Sequence, residues 1–418
     1  MSIAETTTPP RSRPVTALGA QSAVRTRDLR LDFFRGLAMF IILFAHIQDN
    51  RVTLWIPARW GFSDATEIFV FCSGMASAIA FGGTYTRAGW FLGTARVLFR
   101  VWQVYWAHIG LFFATLALTV YLTDLEITGR NYWGQLNLWM IFVESDKWEN
   151  PDILLNLMTL RWVPNYFDIL PMYMIVLLMM PVVMWLARID LRLVAGFVIA
   201  TWLMTQTALL EALGLGQLHL EFPAEPWSDR SWFFNPFGWQ LIFFTGFAFM
   251  RGWLPKPPVS ALLMGVAVFL VLANVPLSSI GVRELGFDWA RDWNNTYAPL
   301  TDKSDFGILR YVHFLALAYI AWVLAGDRGD NLLPSGDGPI AQGWSRMLAV
   351  ILKVGQQSLA VFVVSMFLAR LLGFVMDIWG RDWGTTILVN LLGSLVLVAV
   401  AYGAGWFKSQ PWRRKPAS

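Results

Sequence analysis

Several windows of about 20 residues in this chain contain almost no charged side chains, and this feature limits the possible folds most strongly. A helix of about 20 apolar residues is long enough to cross the hydrocarbon core of a bilayer. Hydrophobic residues make up 56% of the 418 residues and charged residues only 14%, whereas soluble domains carry about 25% charged residues. This composition excludes a disordered or fibrous chain and predicts an all-α, polytopic membrane protein.

We predict ten membrane-spanning helices, with ends accurate to a few residues. They lie at about 31–49, 65–85, 96–122, 171–188, 193–213, 232–251, 258–277, 308–325, 352–376 and 384–406. Lys and Arg concentrate in the terminal tails and in the loops after the even-numbered helices, as is typical of cytoplasmic segments. Both termini are therefore expected in the cytoplasm. The long loops at about 123–170, 214–231 and 278–307 are expected on the opposite side, where a substrate would be handled.

The tails are short. Residues 1–28 are rich in Thr, Pro, Ser and Arg and predict a disordered tail rather than a cleaved signal peptide, while 408–418 form a basic tail. The pI near 9.2 does not indicate nucleic-acid binding, because the basic residues lie in short loops and at the termini rather than in one patch. The single cysteine, Cys72, permits no disulfide within the chain, and the four histidines show no metal-ligand spacing. We therefore expect neither a metal nor a redox cofactor.

The first predicted helix contains three ionisable residues inside the membrane, Asp32, Arg35 and His46. A charge near the centre of a membrane helix costs about 2.5–3.5 kcal/mol, so such residues normally face a protein interior or a wet cavity. Arg35 and His46 are about three helical turns apart, and therefore share a face with about 16 Å between them along the axis. The alternatives are an Asp32–Arg35 ion pair at the cytoplasmic end and a core histidine bonded to a neighbouring helix.

Two acidic residues at the outer ends of later helices are further candidates. Glu67, in the second helix, is expected either to orient His46 and raise its basicity or to act on a substrate directly. Asp168, just before Pro171, either caps the fourth helix or binds a hydroxylated acceptor in an outward cavity. Tyr173 lies in the same stretch and is another candidate for acceptor binding.

Polar side chains also open the sixth and eighth helices. Trp232 and Asn235 are candidates for acceptor binding. A Trp ring can stack on the C–H face of a sugar, although most Trp at such positions form an interfacial aromatic belt, and Asn235 is a polar amide among these aromatic residues. Lys303 and Arg310 offer cations for an acidic acyl group or a phosphate, and His313 is a further acceptor-binding candidate. The alternatives are an interface anchor for Arg310 and a helix–helix hydrogen bond for His313.

The spacing of Arg35 and His46 resembles the signature of large membrane-bound acyltransferase families, and four longer segments resemble the OpgC family more closely. These segments are residues 30–36, 67–74, 168–173 and 354–362, and the resemblance runs from about residue 28 to residue 406. The OpgC family comprises inner-membrane succinyltransferases of osmoregulated periplasmic glucans. The resemblance implies that residues 29–407 form a transmembrane acyltransferase domain of the bacterial inner membrane, with periplasmic outer loops.

It further implies transfer of a succinyl group from a cytoplasmic donor, expected to be the co-substrate succinyl-CoA, to a glucan hydroxyl, with no other cofactor. His46 is then the general base, with Glu67 as its catalytic partner. The expected donor-binding residues are Arg35, Asp32, Arg310 and Lys303. The expected acceptor-binding residues are Asp168, Tyr173, Trp232, Asn235 and His313.

Several alternatives stay open at this point. The acyl group could be acetyl instead of succinyl, transfer could pass through a covalent succinyl-His intermediate, or the chain could transport a glycan or an organic acid. A succinyl carboxylate needs a cation, for which Lys303, Arg310 and Arg51 are candidates. The expected partners are the lipid bilayer, succinyl-CoA and a periplasmic glucan, with no nucleic acid, and a homo-oligomer stays open.

Overall fold

The computed structural model describes residues 28–142 and 153–413. The predicted disordered tail, apart from Asp28, lies outside the described residues, as does the end of the basic tail from residue 414 onwards. Within the described residues the chain is helical and contains no strand, only an isolated bridge between Pro223 and Ser231. This agrees with the predicted all-α class.

Eleven helices of at least 13 residues lie in the described ranges. They are α1 (Leu29–His46), α2 (Ala65–Ser77), α3 (Gly83–Asp124), α4 (Ile169–Leu186), α5 (Leu191–Leu203), α6 (Pro236–Arg251), α7 (Ala261–Asn274), α8 (Ile308–Ala325), α9 (Pro339–Gln356), α10 (Ser358–Trp379) and α11 (Trp383–Ser409). Five segments are long and apolar enough to cross a membrane, namely the continuous stretch Ala65–Asp124, α4, α8, α10 and α11, and α5 and α7 are shorter apolar helices. This composition is that of a membrane protein.

The second and third predicted spans belong to one continuous helical segment that folds back on itself. A π-helical turn, Ala78–Gly82, joins α2 to α3, and the backbone leaves helical geometry at Gly89, where φ is 82°. Only glycine adopts such a conformation without strain. The hydroxyl groups of Tyr85 and Thr94 hydrogen-bond across this bend, so the two arms form a hairpin.

Two predicted spans have the wrong bounds. The span at 193–213 is two helices, α5 and Thr207–Ala212, because the Thr205 hydroxyl binds the carbonyl oxygens of Trp202 and Asp305 and competes with continuation of the helix. The span at 352–376 starts too early, because α9 ends at Gln356 and α10 begins only at Ser358.

Helix α9 is amphipathic and was not predicted as an element. Its buried residues, including Leu348, Ile351 and Gly355, recur every three or four positions and form one face. This face packs closely on α1. A Cβ atom on Gly36 would lie 2.1 Å from the Ile351 carbonyl oxygen, and one on Gly355 would lie 1.9 Å from the Asp32 carbonyl oxygen. The two backbones approach this closely only because both positions are glycine.

Helix α1 lies at the centre of the fold, against α2, α9 and α10. The Arg35 guanidinium donates to the Ser358 hydroxyl at the start of α10. Towards the other end, the Arg381 guanidinium, just beyond α10, donates to the Gln48 carbonyl oxygen at 2.7 Å. Helix α10 therefore runs parallel to α1, and residues at matching distances from Arg35 and Ser358 lie at the same depth.

Candidate active site

A cavity of about 680 Å³ opens at the C-terminal end of α1. Its lining combines apolar side chains with the titratable groups His46, Asp49, Arg59, Asp64, Tyr166, Asp168 and Lys303. Three of these residues, His46, Asp168 and Lys303, were singled out from the sequence, and they come from segments up to 257 positions apart. A concave site with a few converging polar groups is the usual form of a small-molecule site.

His46 is held in one tautomer by its own helix. Its Nδ1 lies 2.8 Å from the carbonyl oxygen of Ile42. Because a carbonyl oxygen only accepts hydrogen bonds, Nδ1 carries the proton in the neutral ring. The Tyr166 ring packs edge-on against the imidazole with 5.4 Å between centroids. Nε2 of the neutral ring is therefore unprotonated and able to accept a proton at the cavity.

Glu67 does not orient His46, because Ile42 already occupies Nδ1. The Glu67 carboxylate instead accepts hydrogen bonds from Arg310 at 2.6 and 2.9 Å and from the Asp64 backbone N–H at 2.8 Å. Its side chain is fully buried, and that of Arg310 is only 10% exposed. Arg310 is therefore neutralised within the protein. The two residues thus form a buried pair between α2 and α8, and neither lines the His46 cavity.

Lys303 reaches the cavity in an ion pair with Asp64, a residue not selected from the sequence. Burial opposes ionisation of Asp64, but the charges of Lys303 and Arg310 outweigh it and hold its pKa below the usual range. Asp64 and Lys303 also line a second cavity of about 370 Å³, which Arg310 lines as well. The ion pair thus stands between the two cavities.

Asp168 is 97% buried and lies at the first cavity. Its side chain does not cap α4 but accepts a hydrogen bond from the Phe233 backbone N–H at 3.2 Å. Burial raises its pKa to about 6, despite the opposing effects of this hydrogen bond and of the Arg230 charge. Of its two predicted positions, the structure favours the one in the cavity.

Of the five residues predicted to bind the acceptor, only Asp168 lines this cavity, and Tyr173 instead packs against Phe243 with 6.1 Å between ring centres. Asn235 caps α6 and donates to the Leu220 carbonyl oxygen and to Asp305. Trp232 packs in a separate cluster of buried residues. Nδ1 of His313 lies 2.7 Å from the Ser63 hydroxyl oxygen, which matches the alternative of a hydrogen bond between segments. Helix caps and interfacial packing use the same polar and aromatic residue types as a binding surface, so the local sequence does not distinguish these roles.

The four segments that resemble the OpgC family converge on Arg35. Besides its bond to Ser358, the guanidinium lies within electrostatic range of Asp32, Cys72 and Tyr173. Each of the four segments thus contributes one of these neighbours. Arg35 does not line the His46 cavity. The two residues predicted to share one face of α1 therefore lie at two separate sites along this helix.

Two residues near His46 were missed. Tyr166 has a positive φ of 87°, a conformation that costs about 1–3 kcal/mol and is often found at functional sites. The guanidinium carbon of Arg370 lies 4.0 Å from the centre of the Tyr166 ring. Nothing in the sequence around Tyr166 marked it. Arg370 did carry a signal, since it is a cation inside an apolar helix.

No cluster of three or more His, Cys, Asp or Glu residues that could hold a metal ion occurs in the described parts of the chain. No curated protein and no solved structure matches the chain. One family model does match it, and that family is described as OpgC protein. The match covers residues 27–409, which include every helix described above. The chain therefore belongs to the OpgC family.

Proposed function

We propose that this protein transfers a succinyl group from succinyl-CoA to a hydroxyl group of an osmoregulated periplasmic glucan, with His46 as the general base. Membership of the OpgC family indicates a glucan-modifying acyltransferase. The single observation that favours His46 is its fixed tautomer at a cavity large enough for a sugar. The acyl group, the donor and the direction of transfer belong to the proposal.

In the proposed reaction, Nε2 of His46 takes the proton of the glucan hydroxyl as its oxygen attacks the thioester carbonyl carbon. The tetrahedral intermediate collapses, the C–S bond breaks, and the coenzyme leaves as a thiol with the proton that His46 gives back. A positioned base of this kind contributes about 10²–10⁴ in rate. Asp168 is placed to accept a hydrogen bond from a sugar hydroxyl, since it lies at the same cavity.

The proposal places the cavity on the periplasmic side of the inner membrane and Arg35 towards the cytoplasm. This arrangement follows from ten membrane spans with both termini inside, as the distribution of Lys and Arg predicts. Arg35 then binds an anionic part of the coenzyme, with Asp32 beside it. Lys303 remains a candidate for donor binding only if its ion pair with Asp64 opens.

The test uses purified protein in lipid nanodiscs with succinyl-CoA and glucan. We expect free thiol to appear only when both substrates are present, and mass spectrometry to show glucan that has gained a succinyl group. Product carrying acetyl groups, formed only with acetyl-CoA, would contradict the succinyl assignment. Movement of unmodified glucan across vesicles, without thiol release, would support a transporter instead.

A further inference from the structure

Arg370 is a cation without a carboxylate partner, deep in a membrane-spanning helix. No Asp or Glu in residues 28–142 or 153–413 lies within ion-pair distance of it, and its Nε is buried without a hydrogen-bond partner. The side chain is half-buried. A charge inside the membrane is costly and is normally retained for a function.

Arg370 lies at the depth of His46. From Arg35 to His46, α1 rises about 16 Å, and from Ser358 to Arg370 the parallel helix α10 rises about 18 Å. The Tyr166 ring contacts both groups, with its centre 5.4 Å from that of the imidazole and 4.0 Å from the guanidinium carbon. Met366 and Phe362, one and two turns earlier on α10, line the His46 cavity, whereas Arg370 itself does not.

The cations named from the sequence are engaged elsewhere. Lys303 is paired with Asp64, and Arg310 with Glu67. The Arg51 guanidinium lies over the Trp383 ring, with 5.7 Å to its centre, and the side chain is exposed. None of these three is a free charge beside the imidazole.

We infer that Arg370 binds the free carboxylate of the acyl group and so selects a dicarboxylic acyl donor over a neutral one. This inference rests on the proposed function. The geometry suits it, because the imidazole and the guanidinium both contact Tyr166 and are therefore less than about 10 Å apart. A succinyl chain spans about 4 Å between its two carboxyl carbons, and the hydrogen bond at each end adds about 3 Å.

The selection is electrostatic. An acetyl or butyryl group offers no charge to Arg370, whereas a succinyl carboxylate can accept two hydrogen bonds from the planar guanidinium. A hydrogen bond to a charged group contributes enough to change discrimination by about 10- to 100-fold. Arg370 is thus a specificity-determining residue, and the proton transfer itself remains with His46.

The experiment compares kcat/KM for succinyl-CoA, butyryl-CoA and acetyl-CoA in the wild-type protein and in Arg370→Gln. Butyryl matches succinyl in chain length but lacks the carboxylate. We expect the wild type to prefer succinyl-CoA, and Arg370→Gln to lose about 10- to 100-fold of that preference, mainly through KM, while transfer of butyryl is retained. Arg370→Lys keeps the charge and should retain part of the preference.

Arg291 provides the matched control, because it lines neither cavity and its charge is paired with Asp288. Arg291→Gln should leave the preference unchanged. Equal loss with all donors in Arg370→Gln, or a lost preference in Arg59→Gln, whose cation lines the His46 cavity, would overturn the inference. If Arg370→Gln does not fold, a wild type that uses butyryl-CoA as well as succinyl-CoA overturns it. A wild type that transfers no acyl group refutes the proposed function itself.

Discussion

Replacing Glu67 by Ala should lower the thermal stability of the protein without changing the chemistry at His46. The Arg310 charge would remain buried without its partner, which typically costs about 3–5 kcal/mol. The Asp64 N–H would also lose its acceptor in the capping box, a loss of about 1 kcal/mol. With about 2.1 cal/mol/K of unfolding entropy per residue, the first effect alone lowers Tm by about 4–6 °C.

The matched variant replaces both members of the pair, Glu67→Met with Arg310→Met. Apolar side chains of similar volume remove the uncompensated charge, and such replacements are often neutral in stability or better. We expect Tm of the double variant in detergent to return most of the way to wild type, and transferase activity per folded protein to stay near wild type in both variants. A double variant with wild-type Tm but no activity would refute this reasoning and return Glu67 to the catalytic machinery.

Three further predictions follow from the packing and the charges. Gly355→Ala places a methyl group 1.9 Å from the Asp32 carbonyl oxygen and should lower the free energy of unfolding by about 1–3 kcal/mol. The control Gly343→Ala, in the same helix, meets nothing within 4 Å and should be neutral or slightly stabilising. Equal Tm values for the two variants would contradict the close packing of α1 and α9. Burial raises the pKa of Asp168 to about 6, so its contribution to stability is full below about pH 4 and is lost as the pH rises through 6. When the pH is lowered from 8 to 5, Tm of the wild type should therefore rise more than Tm of Asp168→Asn. An identical rise in the two proteins would show that Asp168 is not the group responsible. Asn235→Ala removes a helix cap and should cost about 1 kcal/mol without changing KM for the glucan; a raised KM at wild-type Tm would restore Asn235 as an acceptor-binding residue.

The central helix could be predicted well from the sequence. The polar and apolar residues at three- and four-residue spacing in α1 do face the interior, since Asp32, Met39 and Ile42 are all buried. Helices α8 and α11 lie close to their predicted positions, because a long apolar run is the strongest signal for a membrane helix. Helix α9 lacks such a run, so no apolar window in the sequence marks it.

The site depends on contacts that no local pattern contains. Glu67 and Arg310 are 243 positions apart, and nothing near either residue in the sequence indicates that they neutralise each other. The tautomer of His46 could not be predicted either, because it depends on whether a backbone carbonyl or a carboxylate reaches Nδ1 first. Arg370 could have been selected, since the cost of an intramembrane charge applies to it as much as to Arg35.

The most direct test of the account is the rate of succinyl transfer by His46→Gln at saturating donor and glucan. The glutamine amide can still donate to the Ile42 carbonyl oxygen but cannot take the hydroxyl proton, so the variant should fold with wild-type Tm. We expect kcat to fall by about 10²–10⁴ with little change in KM. A kcat within a few-fold of wild type would contradict general-base catalysis by His46.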